Sequence, residues 1–201
     1  YVGGMVSGSI PGYRATNASI EQDMEIIRKL GVEIVYGKQA GRDFRLEHLR
    51  GQGFKYIAVA AGAQQGLPLG IAGEDSPGVL DGLEFLLSAR EKRTVRLGPR
   101  VGVIRGGDVA MDCARTAARL TDGKVTLVYR RTLDQMPAQR EELLDTVGEG
   151  VGIQELAAPL SVVAEGGHLQ ALRCAQMQLG EPDDSGRRRP VEVPNSEFDI
   201  P

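Results

Sequence analysis

Cysteine is scarce in this sequence, with only Cys113 and Cys174 among 201 residues. The two stand far apart, in no CxxC and no His/Cys cluster. That excludes a disulfide framework and a zinc site, and it leaves a reducing cytosol as the expected compartment. Long apolar runs are missing too. Nothing approaches the roughly 18 apolar residues of a membrane helix, and the longest clean run, Tyr56-Ile57-Ala58-Val59-Ala60-Ala61, suits a buried strand. No sign of charge dominates: 24 Lys+Arg against 27 Asp+Glu leave −3, which excludes a basic nucleic-acid binder. With 25% charged and 41% hydrophobic residues the chain is neither a disordered tail nor collagen-like. No signal peptide opens it, and it begins on Tyr1 rather than Met, as an excised fragment would. Glycine is abundant: 27 residues, roughly twice the usual share, predict many tight turns or close backbone approaches.

The pattern along the chain is that of an α/β sheet protein. Ile20, Met24, Ile27 and Leu30 recur at helical spacing over 17–30, with Ser19 and Gln22 as a capping box and Gly31 as the stop. A short strand is expected at 32–35, a brief helix at 46–50 and a buried strand at 56–61. Residues 65–78 have a hinge composition and divide a first domain, 1–64, from a second, 79–201. Asp81 with Glu84 starts a helix through Arg90. A strand over 101–104, a helix over 108–120, a strand over 124–129 and a helix from Pro137 to about Thr146 follow, with Pro137 at the first helical position. Beyond Gly150 strands are expected at 151–155 and 170–179, with 180–190 as an exposed turn.

Chemistry concentrates in Val101-Gly102-Val103-Ile104-Arg105-Gly106-Gly107-Asp108-Val109-Ala110. A strand runs into a glycine turn and then into a helix whose sheet-facing side is small: Ala110, Cys113, Ala114 and Ala117. In the dinucleotide fingerprint GxGxxG/A, Gly107 is the glycine that lets the backbone approach a pyrophosphate, and Ala110 is the small residue for close helix packing. The helix N-terminus offers free N–H groups to the phosphates. The first fingerprint glycine is replaced by Arg105. Its guanidinium either aims at a phosphate or blocks the place where the pyrophosphate would lie. Arg130-Arg131 end the next strand, where arginine accommodates the 2′-phosphate of NADP.

These residues resemble a family. VIRGGDVAMDCARTA, VTLVYRR, MPA and LGEPDDSGRRRP, preceded by GGMVSGSIPGYR, LGVEIVYGK, IAVAAGA and IAGEDSPGV, look like the small (beta) subunit of glutamate synthase and its relatives. Those relatives include the NADPH-handling part of dihydropyrimidine dehydrogenase and several iron–sulfur oxidoreductase subunits. The resemblance implies an α/β fold: a Rossmann-like NAD(P)-binding domain, lacking its closing strand, plus part of an FAD-binding domain, incomplete at both ends. It further implies hydride transfer from NADPH to FAD and onward electron flow to a subunit or domain with iron–sulfur centres. By matched position, Gly3, Gly4, Ile10, Pro11, Arg14, Ala61 and Gly62 would line the flavin. Gly106, Gly107, Asp108 and Val109 would hold the NADPH pyrophosphate, and Arg130 with Arg131 the 2′-phosphate. FAD is not expected to stay on these 201 residues, and NADPH is expected to bind weakly. A different reading is a nucleotide-binding fold that has lost its ligand and serves as a non-catalytic scaffold or docking module.

The remaining polar residues read as structural. His48 and His168 are expected at the surface, and Cys113 in helix packing. Asp112 and Arg115, three apart on a helix, are spaced to pair with each other, and Glu141 and Glu142 suit the first turn of a helix. No nucleophile with a base and no paired acids suggest hydrolysis, which agrees with cofactor-borne hydride chemistry.

Overall fold

The computed structural model describes residues 3–184 and 186–201, in two units, Tyr1–Gln64 and Gln65–Pro201. In the first unit, α1 (Met5–Gly8), α2 (Asn17–Lys29) and α3 (Leu46–Gly51) form. The cap of α2 lies one turn ahead of the expected box. The Thr16 hydroxyl, in an extended residue, accepts the Ser19 N–H at 3.1 Å and so satisfies one of the helix's orphan donors. Gly31 stops α2 as expected, at φ +83° with its N–H on the Arg28 carbonyl.

The strands expected at 32–35 and 56–61 do not form. Tyr56 is 92% and Val59 77% exposed, so the apolar run is not buried. A strand exists only through a neighbour's N–H and C=O groups, and no described strand of this unit lies alongside.

The second unit is built on a parallel sheet of β1 (Arg100–Ile104), β2 (Lys124–Val128) and β3 (Gly152–Gln154), in that order. Val101 pairs with Val125, Ile104 with Val128 and Thr126 with Gly152. The connection from β1 to β2 is α5 (Asp108–Leu120), and from β2 to β3 α6 (Arg140–Gly148). The small face of α5 does what its residues dictate: Ala110, Cys113, Ala114 and Ala117 are buried with Met111 in one core with Leu127 and Leu143. Burying a side chain such as Leu127 completely is worth about 2–3 kcal/mol. Ahead of the sheet, α4 (Gly82–Arg90) is capped by the Asp81 carboxylate, which accepts the Leu83 and Glu84 amides, and it adds Phe85 and Leu86 to the core.

α6 starts three residues later than Pro137 predicts. The Ala138 N–H donates to the Gly106 carbonyl and the Gln139 N–H to Asp108 Oδ1, which holds this stretch against the glycine turn before the helix can begin. Glu141 and Glu142 occupy its first turn as expected. Arg115 crosses from α5 to α6, with Glu142 at 2.8 Å, Asp145 at 3.2 Å and Glu149 at 2.7 Å.

A second sheet, antiparallel, follows: β4 (Ala157–Glu165), β5 (His168–Pro182) and β6 (Arg188–Ile200). Only β5 was legible in advance. Pro159 in β4, and Pro190 and Pro194 in β6, argue locally against strands, yet all three sit on the edge strands of the sheet, beside bulges. Val128, Ala157 and Cys174 make a small core where the two sheets meet.

Candidate functional site

The turn from β1 into α5 is shaped residue by residue. Ile104 ends the ladder with β2, and Arg105 takes φ +109°, the left-handed side that the fingerprint's first glycine would supply. Gly106 is closely enclosed: a Cβ there would lie 2.8 Å from the Tyr129 ring and 3.1 Å from Met136 Cγ, so a larger residue forces one of them to shift. Gly107 is different. It is the N-cap of α5, and among the described residues its missing Cβ finds only Pro137 Cγ, at 4.0 Å, so the space before the helix is open. The carbonyl of Gly107 accepts the Ala110 and Met111 amides, whereas those of Asp108 and Val109 find no acceptor among the described residues. Two free donors at a helix N-terminus, facing an uncrowded glycine, are suited to an anion.

The rim of this turn was not legible in the sequence. Arg105 Nη2 donates to the Leu67 carbonyl at 2.9 Å and reaches that of Pro68 at 3.4 Å. The loop it holds is closed by Glu74, whose carboxylate accepts the Leu69 and Gly70 amides and is held below the usual carboxylate range by them. Gly66 packs so tightly on Asp81 that a Cβ would overlap its carboxylate, and Gly82 lies beside Cys113 and Val109 of α5. The opposite side of the rim is the Met136–Gln139 stretch. Asp81 was legible only as a cap, and nothing local marks Leu67 or Gln139 as neighbours of the turn.

At the end of β2 the two arginines part company. Arg130 is exposed. Arg131 is 5% exposed, with Nε on the Arg188 carbonyl and Nη2 on Asp183 Oδ2, both at 2.7 Å. The structure therefore leaves one of the expected pair facing solvent and turns the other inward. Arg188 spends its own guanidinium on the Leu179 and Gly180 carbonyls. Ser185, within the expected 180–190 turn, lies outside the described residues.

In the first unit, the residues matched to a flavin wall fall into two pieces. Gly3 and Gly4, both at positive φ, lead into α1, and the chain then turns through Ile10, whose N–H meets the Met5 carbonyl, and buried Pro11, whose carbonyl accepts the Arg14 N–H. Ala61 and Gly62 meet the first piece at Gln64. Its side-chain amide donates to the Ala61 carbonyl at 3.3 Å and lies 3.4 Å from a Cβ built on Gly62 and 3.9 Å from one on Gly4. Gly4 and Gly62, remote in sequence, thus both lie against the Gln64 side chain.

Burial pushes the Cys113 thiol up to about 12 and Cys174 up to about 11, so neither is a nucleophile at neutral pH. His48 and His168 are exposed, as expected. No helix among the described residues is long and apolar enough to cross a membrane.

No family model matches the chain. Curated proteins do. It is 41% identical over 202 residues to the NADP(+)-dependent formate dehydrogenase subunit beta of Moorella thermoacetica, covering 99% of this chain and 28% of that one. It is equally similar to the NADPH-Fe(3+) oxidoreductase subunit beta of Geobacter sulfurreducens, at 41% over 202 residues, 98% and 30%. With the glutamate synthase NADPH small chain of Halomonas elongata it shares 34% over 210 residues, covering all of this chain and 44% of the relative. The chain spans less than half the length of each. The resemblance drawn from VIRGGDVAMDCARTA and VTLVYRR therefore extends over nearly every residue. Among solved structures, FprA of Mycobacterium tuberculosis in complex with NADPH superposes with a TM-score of 0.77 at 17% identity, over 98% of this chain and 59% of that one. A 2-naphthoyl-CoA reductase does so with 0.61 at 18%, over 96% and 26%. The fold is that of these solved structures, an α/β protein with a Rossmann-like sheet, as the sequence predicts.

Proposed function

We propose that this chain, related in sequence to the glutamate synthase small chain and other NADPH-dependent oxidoreductase subunits, is the nucleotide-handling part of an NADPH-dependent flavin oxidoreductase. Hydride passes from NADPH to FAD, and the electrons continue to an iron–sulfur subunit or domain. The observation that carries this reading is the β1–α5 turn, where open space at Gly107 meets the unsatisfied amides of Asp108 and Val109. A coenzyme diphosphate fits that combination, held by main chain rather than by charge alone.

The nicotinamide and the flavin supply the hydride donor and acceptor, and the chain supplies grip and orientation. Gly106 packs on Tyr129 and fixes the turn, Gly107 leaves room for the diphosphate, and the Asp108 and Val109 amides donate to it. Arg130, just past β2, would contact the 2′-phosphate of NADPH, with Arg131 held inward beside it. Gly3, Gly4, Ile10, Pro11, Arg14, Ala61 and Gly62 form part of a flavin wall, a role supported by Gly4 and Gly62 coming together at Gln64. Two free, buried thiols suit a reducing cytosol.

Calorimetric titration of the chain with NADPH and NADH tests the reading. The expected result is NADPH binding tighter than NADH. Equal affinity removes the role of Arg130, and absent affinity removes the site.

A further inference from the structure

We infer that Arg131 is a positioning residue for coenzyme selection and that Arg130 is the one guanidinium of the pair that touches the 2′-phosphate. This rests on the function proposed above and divides between two adjacent residues a role that the sequence assigns to both.

The backbone on either side of Arg130 is fastened. The Tyr129 carbonyl accepts the Ala157 N–H at 3.0 Å and the Arg131 carbonyl the Leu156 N–H at 3.1 Å, so consecutive amides hold the residues before and after it. The Tyr129 hydroxyl donates to the Gln135 carbonyl at 2.9 Å, and Gln135 Oε1 accepts the Arg188 N–H at 2.8 Å. Arg131 completes the frame from its side chain: Nε meets the Arg188 carbonyl and Nη2 meets Asp183, which also closes the β5–β6 turn by accepting the Arg187 N–H. Arg130, between these fixed points, is exposed.

Arg131 cannot serve a phosphate on the same terms. Reaching one would break two bonds of a buried guanidinium and leave the half-buried Asp183 carboxylate without this partner, next to a dianion. Held where it is, Arg131 neutralises Asp183 and stiffens the end of β2, so the backbone from which the Arg130 side chain springs stays fixed. A side chain on a fixed backbone loses less freedom on binding than one on a mobile loop.

The test compares R130Q, R131K, R131M, D183N and the exchange pair R131D/D183R, each titrated with NADPH, NADH and 2′-AMP after a thermal melt. R130Q is expected to weaken NADPH and 2′-AMP by about tenfold or more, the loss of a charge-assisted contact, with NADH unchanged. R131M and D183N are expected to weaken the two 2′-phosphate ligands severalfold with NADH unchanged, and R131K and the exchange pair to recover part of that loss. R131M matching R130Q while D183N stays at the unmodified value would make Arg131 a direct ligand and overturn the inference. An equal loss for NADPH and NADH in R131M and D183N, or no loss in either, would overturn it too and leave Arg131 a strut. In all these cases the proposed function stands. If the unmodified chain binds neither coenzyme, the function itself fails and the inference fails with it.

Discussion

Arg105 donates to the carbonyl of Leu67 across 2.9 Å while its own backbone stands at φ +109°. The residue is strained where it sits and tied where its side chain ends. A non-glycine residue at such an angle costs about 1–3 kcal/mol, and a hydrogen bond from a charged donor returns about 1.5–3 kcal/mol at best. Glycine would remove both. Arg105→Gly should therefore change stability by less than about 1 kcal/mol, whereas Arg105→Ala keeps the strain, loses the tie and should lose about 1–3 kcal/mol. Thermal melts of the two variants check this. Coenzyme binding in the unmodified chain and in Arg105→Gly is expected in both; binding in Arg105→Gly alone would support the scaffold reading for the natural sequence.

The two glycines after Arg105 should separate stability from binding. Gly106→Ala places a methyl 2.8 Å from the Tyr129 ring, and overpacking of that kind costs about 1–3 kcal/mol. Gly107→Ala meets no non-neighbouring group of the described residues closer than 4.0 Å. It should leave the melting temperature nearly unchanged and reduce NADPH affinity, because the methyl enters the space assigned to the diphosphate. Melting and titration of both variants distinguish the outcomes.

Glu149 gives a pH dependence of known sign. Hydrogen bonds from Arg119, ahead of those from Arg115, lower its carboxyl from 4.5 to about 2. A lowered folded-state value stabilises the fold fully above the unfolded value, and that stabilisation is lost as pH falls toward 2. The melting temperature of the unmodified chain should exceed that of Glu149→Gln at pH 6, and the gap should close between about pH 4.5 and pH 2. Melts across that range check it; a constant gap would show that the ion pairs with Arg115 and Arg119 contribute nothing.

Neither cysteine should react with a thiol reagent in the folded chain at pH 8, because both are buried with raised values. Both should react once the chain is unfolded in denaturant. Rapid native labelling of Cys113, which donates to the Gly82 carbonyl beside α5, would mean that the α4–α5 packing opens.

What could be read from the sequence was what local physics determines. The helix at 108–120 has the bounds its glycine turn and small face predict, and β1 and β2 follow from short apolar runs on either side. Where formation depends on a distant partner, the sequence misled. Residues 32–35 and 56–61 are strand-forming in composition and unpaired in fact. β4 and β6 carry prolines and pair regardless. α6 starts late because Gly106 and Asp108 hold the residues before it. The site shows the same division: the turn amides were legible, but the inward rotation of Arg131 was not. Its partner Asp183 lies 52 residues away in a turn whose acidic residues look like ordinary surface.

The central claim is that main-chain amides at the start of α5 grip a coenzyme diphosphate. A crystal of the chain grown with NADPH measures it most directly. The account predicts the diphosphate oxygens within hydrogen-bond distance of the Asp108 and Val109 amides, over Gly107, with Arg130 at the 2′-phosphate. The Arg105 side chain lying across that turn, with the coenzyme absent or bound elsewhere, would contradict it.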